Sequence, residues 1–395
     1  MLKPIKTFFK SEIAIGICLF LSAIAAILIS NSDSYTSYKD FFASSMPLNI
    51  ESLGLYKEMS LIHWINDLLM AIFFLLVGLE LKREVMIGEL SSKQKLALPL
   101  IAAIGGVVVP IGIFFLFNFD QPQNIRGFAV PAATDIAFAY GIISMFGKGF
   151  SNSLKVFIVA LAIIDDLIAI IIIAVFYSHD LKLSFLAASL IPIAGLGLLN
   201  LFNSHKTHLY LIIGATLWVL ILKSGLHPTL AGVIIALFIP LQVGNTSPLS
   251  NLAHKISPTV NFLILPIFAF ANAGVRIEKL SIDIFLEPLA LGIAAGLFIG
   301  KQLGVTLFGF IAVKLNLAHL PRGTTWLEFY IASILTGIGF TMSLFVGSLA
   351  FFDNLHAFDE VKIGVICGSL ASIIFSGLLL FIKKKREQLY LLKNK

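Results

Sequence analysis

Residues 160–176 read ALAIIDDLIAIIIIAVF. Two adjacent carboxylates, Asp165 and Asp166, stand in a run of isoleucines long enough to enter a bilayer. Each aspartate at the centre of a membrane helix costs about 2.5–3.5 kcal/mol, so the pair costs roughly 5–7 kcal/mol before mutual repulsion. Residues 154–177 hold sixteen Leu, Ile, Val or Phe. At about −0.3 to −0.6 kcal/mol each, these return roughly −5 to −10 kcal/mol. The span inserts with a small margin, and the isoleucine density provides that margin.

The rest of the chain has the same character. Of its 395 residues, 58% are hydrophobic and only 13% charged, where a soluble domain carries about 25% charged residues. A helical span needs about 20 mainly apolar residues. Twelve candidates meet or approach this: 12–30, 61–87, 96–118, 125–145, 154–177, 183–201, 209–222, 226–241, 259–274, 289–313, 328–350 and 361–382. Connections are brief, so residues 1–395 read as one all-α, polytopic membrane domain. Lys3, Lys6 and Lys10 precede the first span as in a signal peptide. Its apolar core is too long for one and no cleavage pattern follows closely, which predicts a retained helix. Cys18 and Cys367 lie in the first and last spans without metal-ligand spacing.

Lysine and arginine placement sets orientation. With the N-terminus inside, nineteen basic residues fall in inner segments and eight in outer loops, and Lys301 lies within a span. Both termini are therefore expected in the cytoplasm. The heaviest cluster is the tail 383–395, KKKREQLYLLKNK. The net charge of +6 follows from this asymmetry and suits anionic membrane lipid. No nucleic-acid partner is expected.

Ionisable groups inside spans mark ion or proton pathways by default. Here they are Asp67, Glu80, Asp135, Asp165, Asp166 and Lys301. Adjacent helical residues point about 100° apart, so Asp165 and Asp166 address one wide cavity from neighbouring directions, or one cavity and one partner. Two nearby carboxylates do not both stay ionised cheaply, and a cation between them favours ionisation. Protons and a cation therefore compete for the pair. Lys301 sits deep in its span, where a buried ammonium wants a carboxylate, and the fifth span offers two.

The fourth span reads GFAVPAATDIAFAYGII and the eleventh ILTGIGFTMSLFVG. Pro131 and the glycines Gly337 and Gly339 interrupt them beside polar Thr134, Asp135, Thr336 and Thr341. Irregular backbone at membrane depth survives only inside protein or beside a cavity. The half-helix ends it exposes need counter-charges, for which Asp135 suits positive ends and Lys301 negative ends. Interrupted helices in two halves of a chain point to a transporter of inverted repeats, here spans three to five and ten to twelve.

Several stretches together resemble the bacterial NhaA-type sodium/proton antiporters: WINDLLMAIFFLLVGLELKRE from Trp64, VPAATDIAFAYG from Val130, LAIIDDLIAI from Leu161, LKSGLHPTLAGV from Leu222, LILPIFAFANAGV from Leu263, GKQLGV from Gly300 and TGIGFTMSLFV from Thr336. The resemblance implies about twelve transmembrane helices in an inverted-repeat antiporter fold, with the fourth and eleventh interrupted mid-membrane. It implies that Asp165 and Asp166 bind Na+, Li+ or protons, with Asp166 the main cation ligand and Asp165 the partner of Lys301. Thr134 and Asp135 would line or support the site. Exchange would be electrogenic and no cofactor is expected. The same resemblance makes Glu80, Arg83, Glu84, His227 and His254 candidates for the response to pH. Ala253 and Ser257 depart from the family's pattern there. It also implies a bacterial inner-membrane location and a homodimer built on an outer β-hairpin within residues 33–58, a stretch whose own strand character is weak.

Other readings fit less well. The chain has neither the Tyr-Asp nor the Gly-Asp motif of intramembrane aspartyl proteases, and no HExxH or cysteine cluster for zinc. An enzyme is not expected. A passive cation channel or a proton-coupled symporter of a small solute would also use membrane carboxylates. The symporter needs a core cage for a larger ligand, and the one deep cation is Lys301.

Overall fold

The computed structural model describes residues 12–50, 55–88, 90–145, 150–178, 180–276 and 282–393. Lys3, Lys6, Lys10 and the end of the basic tail lie outside them. Almost all of it is helix. The order is α1 (Glu12–Ser30), α2 (Tyr35–Ala43), β1 (Leu48–Ile50), β2 (Leu55–Lys57), α3 (Leu61–Met86), α4 (Lys93–Asn118), a 3-10 stretch (Pro122–Ala132), α5 (Ile136–Met145), α6 (Asn152–Phe176), α7 (Leu183–Leu201) and α8 (Thr207–Ser224). Then come α9 (Leu230–Phe238), α10 (Pro248–Asn272), α11 (Pro288–Lys314), α12 (Trp326–Leu335), α13 (Phe340–Ala350) and α14 (Leu355–Lys393). Among the described residues, nine helices are long and apolar enough to cross a membrane, or eleven if each of two bent pairs is one span.

The eighth expected span, 226–241, is only the nine-residue α9. Gly225, at φ 89°, ends α8, and the flanking Pro228 and Pro240 keep the following helix short. The last helix exceeds its expected span, because the basic run from Lys383 stays helical to Lys393. The segment 33–58 holds the unanticipated α2 before β1 and β2, which pair antiparallel with Asn49 opposite Tyr56.

The chain forms two compact units. The first comprises residues 1–20, 89–169 and 279–395. It therefore contains spans three, four and ten to twelve and the fifth span as far as Ala169, which is most of both triplets that the interruption pattern singled out. Its tightest crossing is α4 on α11. A Cβ on Gly304 would lie 2.1 Å from the Gly105 carbonyl oxygen, so only glycine permits this approach. Asn118 locks the ends of these helices. Its amide donates to the Phe114 and Pro288 carbonyls, and its oxygen accepts from Asn124.

The second unit comprises residues 21–88 and 170–278. Here α3 packs on α9 through Gly232, whose Cβ would lie 2.1 Å from the Ala71 carbonyl oxygen. Lys82 donates to the Leu237 and Ile239 carbonyls, supplying positive charge at the end of α9. Asn66 and Asn272 exchange amide hydrogen bonds. Among the described residues, three helices carry π-type turns: Ile65–Leu69 in α3, Val260–Ile264 in α10 and Gly296–Gly300 in α11. Such turns concentrate at functional sites. The first contains Asp67 and the third immediately precedes Lys301.

Candidate functional site: a buried carboxylate pair beside two broken helices

In the first unit the chain breaks twice. The 3-10 stretch and α5 meet at 44° across residues 133–135, and α12 and α13 meet at 42° across residues 336–339. Each break exposes backbone groups that a continuous helix would satisfy, and burial makes such groups costly to leave unpaired. The two breaks satisfy each other. The Asp135 N–H donates to the Ile338 carbonyl at 2.7 Å, the Thr134 hydroxyl lies 3.0 Å from the Thr336 carbonyl, and the Ser343 hydroxyl donates to the Val130 carbonyl.

Asp135 holds the crossing together. One carboxylate oxygen accepts from the Phe138 N–H, capping α5. The other accepts from both the N–H and the hydroxyl of Thr341 in the first turn of α13. A single negative charge thus serves two helix N-termini, where the peptide dipoles place partial positive charge. Gly339 has no room for a side chain, since a Cβ would lie 2.2 Å from Ser343 Oγ and 3.0 Å from the Ala133 carbonyl oxygen.

Asp165 and Asp166 lie within α6, each 1% exposed. Lys301 Nζ donates to Asp165 Oδ2 at 2.6 Å, and both side chains are fully buried. The Thr134 hydroxyl, one residue before Asp135, lies 2.7 Å from that same oxygen. Asp165 Oδ1 has no hydrogen-bond partner among the described residues. Gly106 of α4 lies against this stretch of α11: a Cβ placed there would lie 2.9 Å from Val305 Cγ2 and 3.8 Å from Lys301 Nζ. The next residue after the lysine, Gln302, accepts from the Tyr330 hydroxyl and donates to the Phe298 carbonyl, pinning the π-type turn ahead of Lys301.

The structure therefore brings Thr134, Asp135, Asp165, Asp166 and Lys301 into one unit. Asp135 meets positive helix ends, as its position suggests. Lys301 is not turned to a helix C-terminus, because its ammonium donates to Asp165. Sequence reasoning passed over Gly106, Gln302 and Tyr330. A polar pair 28 residues apart carries no local signal.

The other candidates lie in the second unit. Glu80, Arg83 and Glu84 fall near the end of α3 and are half-buried, with Arg83 3.1 Å from Glu84. His227 is buried, its Nδ1 is 2.7 Å from Thr229 Oγ1, and its Nε2 is 3.5 Å from Asp67 Oδ1. His254 is exposed on α10, beside buried Ala253, and Ser257 accepts from Asn261 one turn on. Glu80, Arg83 and Glu84 share one stretch of α3, close enough for the charges of Arg83 and Glu84 to act on Glu80.

A multi-pass helical membrane protein with a buried carboxylate pair beside broken helices is the class that fold and site define. Comparison with known proteins narrows it. Residues 6–380 match the family described as Na+/H+ antiporter 1. The Na(+)/H(+) antiporter NhaA of Pelagibacter ubique (strain HTCC1062) is 51% identical over 386 residues, covering 97% of this chain and 98% of that protein. Those of Escherichia coli (strain K12) and Shigella flexneri are each 48% identical over 376 residues, covering 94% of this chain and 96% of theirs. The chain belongs to the Na+/H+ antiporter 1 family.

Proposed function

We propose that the chain is an electrogenic secondary active antiporter, extruding cytoplasmic Na+ or Li+ in exchange for external protons by alternating access. Family membership and the names of its relatives support the exchanged ions. The observation that carries the site assignment is the adjacency of two buried carboxylates, one of them tied through a single oxygen to Lys301 and Thr134.

The chemistry follows from that asymmetry. Asp165 Oδ2 is committed to an ammonium and a hydroxyl, while Oδ1 keeps its lone pairs. Asp166 is the main cation ligand and Asp165 Oδ1 a second oxygen donor. Hard monovalent cations favour such oxygen ligands over nitrogen or sulfur. When Na+ arrives, its charge favours two ionised carboxylates and expels protons. When protons bind, the cation loses its ligands. Neither state holds both loads well, so transport of one drives release of the other. Releasing more than one proton per cation makes the cycle electrogenic.

Asp135 keeps the crossing of the two breaks intact while the site changes load. Both termini lie in the cytoplasm of a bacterial inner membrane, and residues 1–395 act as one transport domain. The chain works as a homodimer through the β1–β2 hairpin of an outer loop. Glu80, Arg83, Glu84, His227 and His254 adjust activity to pH. Both proposed repeats, apart from the fifth span beyond Ala169, fall in the first unit, a grouping that supports the inverted-repeat reading.

The test is transport in everted vesicles carrying a pH gradient. Added Na+ or Li+ is expected to collapse the gradient, K+ far less, and Asp166→Asn to abolish the collapse. An unchanged response in that variant overturns the site assignment.

A further inference from the structure

Where α4 and α6 begin, the first unit carries a second feature. A cavity of about 610 Å³ opens between the first turn of α4, the start of α6 and residues 319–322 ahead of α12. Its rim holds Lys95, His319 and Arg322, all exposed. Its inner wall is apolar, with Leu98 and Phe157 buried and Leu320 half-buried. No aspartate or glutamate lines it among the described residues. Glu328, the acidic residue next along the chain from Arg322, is already engaged by Thr325 and Lys383.

The lining thus divides into a cationic mouth and a hydrocarbon interior. The starts of α4 and α6 add the positive ends of two helix dipoles to that mouth. A guanidinium fork matches a phosphate in a bidentate manner, and an ammonium adds a point charge. Free phosphate would use the mouth alone and leave the apolar wall without a role. A phospholipid uses both parts, with its phosphate at the rim and its upper acyl chain against Leu98 and Phe157. The cavity also begins where two membrane-spanning helices start, which is where headgroups lie.

We propose that this cavity is a binding site for an anionic phospholipid, with Lys95 and Arg322 holding the headgroup phosphate and His319 donating to it. The proposal needs a membrane protein and does not depend on the exchange reading. Its test is lipid retention, not transport.

The purified full chain in mild detergent is offered phosphatidylglycerol or phosphatidylcholine, and bound lipid is counted by native mass spectrometry. Phosphatidylglycerol is expected to be retained in preference to phosphatidylcholine. Each basic side chain near an anionic headgroup contributes about fivefold, so the double variant K95Q/R322Q should retain about 25-fold less. K39Q, which removes an exposed charge on α2 outside the cavity, should retain as much as the unaltered chain, and excess inorganic phosphate should not displace the lipid. Equal retention by the double variant overturns the site. Equal retention of phosphatidylcholine overturns headgroup recognition. Full displacement by inorganic phosphate overturns the lipid as occupant. Leu98→Gln, which puts a polar group in the apolar wall and leaves the rim intact, should also weaken retention, and no change there overturns the acyl contact.

Discussion

Lys301 Nζ and Thr134 Oγ1 converge on one oxygen of Asp165, at 2.6 and 2.7 Å, while the other oxygen accepts from neither. The pair with Lys301 is fully buried. Breaking such a pair by removing one partner costs about 3–5 kcal/mol, because the survivor remains desolvated and uncompensated. Lys301→Ala should therefore lower the melting temperature in detergent sharply. Adding Asp165→Asn to it should lower the temperature no further, since the orphaned carboxylate is then neutral. Additive losses in the double variant would speak against the pairing.

Asp135 makes a different prediction. It caps two helices with one carboxylate. Losing an N-cap costs about 1 kcal/mol, so Asp135→Ala should destabilise by roughly 2 kcal/mol or more. Asp135→Asn keeps an acceptor and should lose less. Thermal melts of both variants give the order, and equal losses would show that the charge, not the acceptor, matters.

The glycines of the first unit separate cleanly. Gly304→Ala would drive its Cβ to within 2.1 Å of the Gly105 carbonyl oxygen, which is backbone and does not swing aside. Overpacking of this kind costs about 1–3 kcal/mol or more. Gly112→Ala, at an exposed position of the same helix α4, meets nothing within 4 Å. It should stabilise α4 by about 0.5–1 kcal/mol. Melting temperatures moving in the same direction would contradict this contrast.

Lys57 carries a pH signature outside the spans. Burial holds its ammonium below the usual lysine range, Asp67 opposes this, and Lys223 and Lys182 reinforce it. The unfolded chain then binds more protons than the folded one between the lowered value and the ordinary lysine value of about 10.4, so this contribution to stability rises with pH through that window. Lys57→Gln removes the linkage. The melting temperature of the unaltered chain relative to the variant should climb as pH rises toward about 10. A constant gap would refute the assignment.

Tyr330→Phe tests the support behind Lys301. It removes the donor to Gln302 and should cost about 1 kcal/mol. Exchange should persist with a weaker apparent affinity for Na+, measured as the cation concentration that half-collapses the gradient. Complete loss of exchange would mean that Tyr330 does more than position its neighbour.

Much of the fold and of the site is legible in the order of residues alone. Hydropathy marks the spans, because a bilayer imposes length and polarity limits that apply residue by residue along the chain. The same logic makes Asp135, Asp165, Asp166 and Lys301 conspicuous, since each violates those limits. It also marks the breaks at VPAATD and TGIGFT, because proline and glycine act locally on the backbone. It fails at 226–241, where composition resembles a span and the turn at Gly225 leaves only nine helical residues. Only the tertiary structure decided which carboxylate oxygen takes the lysine, that one aspartate caps two helices, and that Gly106, Gln302 and Tyr330 frame Lys301. Those relations join residues 28 to 206 positions apart. Their energies depend on distance and burial, and neither is written in the local order of residues.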